Sequence, residues 1–106
     1  MPRNGRGGEN VSVEEVENVI SSHDAVAACA GVGVPDKRKG EALRAYVTRR
    51  PRHSLEQQEL HAWLELRLAR FKLPREIVFV DKLPRLANGK LDRVTLNQWA
   101  AQEIAS

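Results

Sequence analysis

Val16, Val19 and Ile20 repeat at i, i+3 and i+4, the apolar stripe of a helix that lies on a core. Ser12 and Glu15 stand at capping-box spacing just ahead of them, and Val11 and Val16 are placed to staple the entering chain. The pattern predicts a helix over residues 11–22. Glu14, Glu15 and Glu17 fall in its first turns, where negative charge suits the helix dipole, so they need no catalytic explanation. Residues 25–34 are apolar on both faces and end at Pro35-Asp36, which predicts a central strand. Gly31 and Gly33 inside it suggest a close neighbour or a bulge. Residues 41–49 alternate around Leu43, Ala45 and Val47 and predict a second strand, antiparallel to the first across a short connection. After a break at Pro51-Arg52-His53, Ser54 and Gln57 suggest another capping box, and Leu60, Leu64 and Leu68 with Trp63 set a second helical stripe. Ile77-Val78-Phe79-Val80 is the buried run of a third strand over residues 75–81, reached through that helix as a crossover. Val94, Leu96 and Trp99 mark a last short helix beginning near Asp92. The expected fold is a small α+β domain: a three-stranded sheet, an antiparallel pair plus a crossover strand, with packed helices.

Composition narrows the classes. A chain of 106 residues makes one small domain that buries roughly 60–70% of its unfolded surface. A hydrophobic fraction of 42% with 29% charged residues is that of a soluble globular protein. The net charge of +3 permits an anionic ligand but does not indicate nucleic acid. No apolar run approaches the ~20 residues of a membrane span, and the first residues lack the apolar core of a signal peptide. A cytoplasmic protein is expected. Cys29 is the single cysteine, which excludes an internal disulfide; among Val26, Ala27 and Ala28 it reads as a small buried hydrophobe. His53 and His61 lack metal-ligand spacing and His23 stands apart, so all three read as surface or helix-end residues and no metal site is expected. Residues 1–10 read as a flexible segment ahead of a domain over residues 11–103. The run Arg3-Asn4-Gly5-Arg6-Gly7-Gly8 is too short, and too poor in aromatics, for an RGG-type nucleic-acid segment.

The candidate chemistry lies between the third strand and the last helix. Asn88-Gly89 is a strong turn pair, since both residues tolerate positive φ. Lys90 leaves that turn on a long stem with three donors and a full charge. A solvated turn lysine is the ordinary reading; delivery of one cation to an anionic group on another surface is the functional one. Lys37-Arg38-Lys39 has the same ambiguity and reads first as a solvated loop.

Five segments, in order, carry a resemblance. Gly7-Gly8-Glu9-Asn10-Val11-Ser12-Val13-Glu14-Glu15-Val16-Glu17 looks like G-G-E-N/K-V-x-x-x-E-V-E. Val34-Pro35-Asp36 with Gly40-Glu41 matches V-P-D-x-x-x-G-E. Phe71-Lys72-Leu73-Pro74 and Phe79-Val80-Asp81-Lys82-Leu83-Pro84 are similar to Y-K-x-P and F-V-x-x-L-P, and Gly89-Lys90-Leu91-Asp92-Arg93 to G-K-x-x-R. Together, from about Arg6 to Ala100, they resemble the C-terminal domain of the AMP-forming acyl-CoA synthetase family. The family's basic-aspartate hinge (K/R-D-x-I) is absent upstream, so the hinge residue is not assigned.

The resemblance implies a fold and a chemistry. Lys90 would be the adenylation lysine, with Asn88 and Gly89 supplying turn geometry. Gly7, Gly8 and Glu9 would belong to the loop that lines the pantetheine channel in thioester formation. ATP, Mg²⁺ and CoA, or a carrier's phosphopantetheine, would be bound mainly by a large N-terminal adenylation domain or subunit. The chain has no Walker-type phosphate loop and none of the large domain's motifs, so it is expected to be inactive alone. Two readings follow: the mobile catalytic domain or small subunit of an acyl- or aryl-CoA ligase, or a non-catalytic module that docks on a synthetase or acyl carrier protein. Neither involves nucleic acid or a membrane.

Overall fold

The computed structural model describes residues 12–36 and 40–105. Ser12 caps the first helix, α1 (Val13–Ser21), by accepting the Glu15 N–H at 3.2 Å. The Glu15 carboxylate turns instead to the Lys72 ammonium, 3.0 Å away. Val11, the outer half of the expected staple, lies outside the described residues. Val16 and Ile20 of the stripe are buried and Val19 is partly so.

Strands β1 (Val26–Asp36) and β2 (Gly40–Arg49) pair antiparallel, and β3 (Glu76–Phe79) pairs parallel to β2. The mixed sheet has the order β1-β2-β3. The crossover through α2 (Gln57–Glu65) is therefore present, as the pattern predicted. The expected central strand is not central: β1 is an edge and β2 lies in the middle. Helices cover both faces of the sheet, so an edge strand is buried on both sides and reads like an inner one.

Val16 and Ile20 of α1 and Leu60 and Leu64 of α2 pack on one face, against Cys29, Leu43, Ala45, Val47 and Ile77. The last helix, α3 (Arg93–Ala105), brings Leu96 and Ala100 to the other face, against Ala30, Val32, Val34 and Tyr46. Val26 and Cys29 face the same way despite their odd spacing. The register of β1 shifts between Val26 and Ala28, and that bulge turns the strand over. Neither glycine sits at it. Gly31 instead admits α1: a Cβ there would meet Val13 at 3.0 Å and Leu43 at 3.1 Å.

Two end signals are corrected. The cap of helix α2 is Glu56, not Ser54, and the Glu59 carboxylate accepts the Glu56 N–H at 2.8 Å. Val94 does not pack; it is 67% exposed, and the anchors of α3 are Leu96 and Ala100, with Trp99 edge-on to Tyr46. At 13 residues α3 is longer than α1 or α2, not the short element expected. No helix among the described residues is long and apolar enough to cross a membrane.

Candidate functional site

The chain leaves β3 and is anchored on the α3 face by Leu83, which is buried. It then makes a narrow excursion. Arg85 and Leu91 form an isolated antiparallel bridge, and the Asp92 N–H donates to the Pro84 carbonyl at 2.9 Å. Inside that base, the Leu86 N–H donates to the Lys90 carbonyl at 2.8 Å, and the Gly89 N–H donates to the Leu86 carbonyl at 2.9 Å. Gly89 takes φ +89°, the left-handed geometry its lack of a side chain allows. Asn88 stays on the ordinary side of the map. It contributes through its side chain, whose Oδ1 accepts the Lys90 N–H at 3.0 Å. The Arg85 guanidinium closes the tip by donating to the Gly89 carbonyl at 3.0 Å.

The outcome is a braced turn with exposed tip residues 85–90. Every brace on Lys90 is made by its backbone, and its ammonium has no hydrogen-bond or ion-pair partner among the described residues. A fixed backbone carrying a free cation suits an anion on another body.

Asp92 then starts α3. Its carboxylate accepts the Thr95 hydroxyl at 2.7 Å and the Thr95 N–H at 3.1 Å. Those bonds, the hydroxyl's first, hold its pKa below the ordinary carboxylate value. The next residue, Arg93, reaches across to α1 and β1: Nη1 donates to Glu17 Oε2 and to the Gly31 carbonyl, each at 3.1 Å. Arg85 and the partner of Arg93 were not singled out from sequence, because a salt bridge 76 positions apart leaves no local signal.

Gly7, Gly8 and Glu9, and the cluster Lys37-Arg38-Lys39, lie outside the described residues. Cys29 is buried as expected, its thiol 3.4 Å from Ser21 Oγ and raised in pKa mainly by burial. The histidines have structural neighbours. His23 accepts the Ala25 N–H and meets Trp63 edge-on, His61 pairs with Glu65 at 3.4 Å, and His53 contacts the Pro51 carbonyl. Among the described residues no group of three or more His, Cys, Asp or Glu is arranged to hold a metal. An open groove of about 500 Å³ between α2 and β3, lined by Gln57, His61, Glu65 and Arg75 among others, shares no residue with the Lys90 turn.

Residues 15–90 match the AMP-binding enzyme C-terminal domain, and the chain belongs to that family. The chain is 46% identical over 92 residues to a 3-[(3aS,4S,7aS)-7a-methyl-1,5-dioxo-octahydro-1H-inden-4-yl]propanoyl:CoA ligase of Rhodococcus jostii, covering 87% of this chain and 18% of that protein. It is 44% identical over 85 residues to a feruloyl-CoA synthase of an Amycolatopsis species, covering 80% and 17%. Among solved structures it superposes on ATP-bound MatB from Rhodopseudomonas palustris with a TM-score of 0.82 at 33% identity, covering 88% of this chain and 18% of that one. An amide bond synthetase from Marinactinospora thermotolerans gives 0.79 at 36% identity, covering 85% and 18%. The chain thus spans about a fifth of the length of the proteins it matches.

Proposed function

We propose that Lys90 is the adenylation lysine of this domain, a mobile domain or small subunit, and acts on an active site held by a large adenylation domain. The observation that carries this reading is the unpartnered Lys90 ammonium on a turn braced through backbone. In the first step a substrate carboxylate oxygen bonds to the α-phosphorus of ATP and pyrophosphate leaves. Two anions must approach, and a lysine placed between them offsets the repulsion and the charge of the transition state. In the second step a thiol attacks the acyl carbonyl and AMP departs. Gly7, Gly8 and Glu9 are assigned to that step, lining the path of the CoA or carrier phosphopantetheine arm. Asn88 and Gly89 shape the turn and do no chemistry. ATP, Mg²⁺ and the acid are bound mainly by the large domain, so the chain is inactive by itself. The proteins it matches include CoA ligases, an acyl-carrier-protein ligase and an amide bond synthetase, so the acceptor is left as CoA or a carrier phosphopantetheine. A cytoplasmic setting follows from the use of ATP and CoA.

The test is ATP–pyrophosphate exchange by the chain alone, by a large domain lacking its own C-terminal domain, and by the two mixed. Exchange is expected in the mixture, with a drop of about 10²–10³ for Lys90→Ala. A docking module is the second reading, favoured by Leu66 (83% exposed) and Phe71 (40% exposed) beside Arg67 and Arg70. It predicts that Lys90→Ala leaves exchange in the mixture unchanged.

A further inference from the structure

The bonds within residues 84–92 set the shape of the Lys90 turn but not its bearing on the rest of the domain. Its bearing depends on what holds the start of α3. Leu83 and Leu91 pack against the sheet on one side. On the other side stands a polar arrangement that the adenylation reading leaves unused. Glu17 Oε2 accepts the Gly31 N–H at 2.6 Å and the Arg93 guanidinium at 3.1 Å. The same Arg93 Nη1 donates to the Gly31 carbonyl at 3.1 Å. Glu17 belongs to α1 on one face of the sheet, Arg93 to α3 on the other, and Gly31 to the edge strand between them. The pair therefore wraps the edge of β1 and satisfies both backbone groups of Gly31. The Glu17 side chain is only 15% exposed, so the contact is shielded from bulk water on the carboxylate side.

We propose that Glu17 and Arg93 are positioning residues for Lys90, forming one clamp that fixes the Lys90 turn against α1 and β1. The proposal rests on Lys90 being the adenylation lysine. Arg93 lies three residues from Lys90, at the first position of α3, so tilting of that helix end carries the ammonium with it. Misplacing a reacting group by about 1 Å from a distance can cost on the order of 10²-fold in rate. Both bonds come from Nη1, whose two hydrogens reach two acceptors, and the planar guanidinium holds that nitrogen in a fixed direction that a flexible lysine ammonium lacks. Glu17→Gln keeps an acceptor for the Gly31 N–H but loses the charge.

The experiment has two readouts. In the isolated 106-residue chain, backbone ¹⁵N relaxation is measured for the amides of 86–91 in wild type, Glu17→Gln, Arg93→Lys and Arg93→Met. Faster internal motion is expected there in Arg93→Met and Glu17→Gln, smaller in Arg93→Lys, with the β2 amides unchanged. Unchanged motion at 86–91 would overturn the proposal. In the mixture with a large adenylation domain, kcat for exchange is expected to fall about 10-fold or more in Arg93→Met while KM for ATP stays within twofold. Partial rescue is expected in Arg93→Lys. The double variant Glu17→Gln/Arg93→Met should be no slower than Arg93→Met alone. Where a variant does not fold, Arg93→Lys is the decisive one, and kcat equal to wild type there with equal motion refutes the clamp. Lys90→Ala runs in parallel. If Lys90→Ala keeps exchange, the adenylation reading fails; if it loses exchange and the clamp variants keep theirs, the clamp fails alone.

Discussion

At φ +89° Gly89 occupies backbone space that a residue with a side chain enters only under strain. Gly89→Ala is expected to lower unfolding free energy by about 1–2 kcal/mol, seen as a lower urea midpoint with unchanged slope. The position was legible because Asn-Gly is a turn pair; the division of labour inside it was not. Asn88 contributes a carboxamide acceptor and leaves the positive φ to Gly89, a choice made by the bonds closing around Leu86 and Lys90. Gly31 is the second glycine that matters, for space. A methyl there presses on Val13 and Leu43, so Gly31→Ala should cost about 1–3 kcal/mol and displace α1, with shifted amide resonances for Val13 and Glu17. Cys29 was readable as core because its neighbours are apolar, and it is core.

Among the elements, helix existence was readable and helix ends less so. The stripes of α1 and α2 announced themselves, but Ser54 looked like a cap where Glu56 is one. Competing polar residues at adjacent positions are resolved by where the preceding loop turns, and that is not a local property. In α3 the cap is Asp92, whose carboxylate is held by the Thr95 hydroxyl and N–H. Its folded-state pKa lies below the unfolded value, so its contribution is present above about pH 4 and fades as pH falls through the lower folded value. Asp92→Asn should therefore destabilise the domain at pH 7. The gap to wild type should narrow as pH falls below the ordinary carboxylate range, as urea unfolding at neutral and at acid pH would show. Since Asp92 joins the Lys90 turn to α3, the same variant also tests whether the turn's base depends on the cap.

Across the whole molecule, one sheet is shared by two apolar layers. Leu64 lies in the α1–α2 layer and Leu96 in the α3 layer, each fully buried. The chain has two tryptophans, one against each layer: Trp63 on the first and Trp99 on the second. Because β2 lies in both, the layers are expected to unfold together. Trp63→Phe and Trp99→Phe variants, each reporting through the remaining indole, should show coincident fluorescence midpoints. Leu64→Ala or Leu96→Ala should each move that single transition, by about 2–5 kcal/mol.

The amphipathic stripes and the alternation of β2 follow from the side-chain periodicity of single elements, the Asn-Gly turn from the φ its residues tolerate, and the crossover through α2 from the order strand, helix, strand. The five-segment resemblance likewise lies in residue order alone. Tertiary structure decided which strand is the edge, since burial on two faces looks the same whether strands or helices supply it. It also placed Glu17, Gly31 and Arg93 together. Residues 17 and 93 lie on opposite sides of the sheet, and only the wrapping of α1 and α3 around the edge of β1 brings a carboxylate and a guanidinium to the same backbone group.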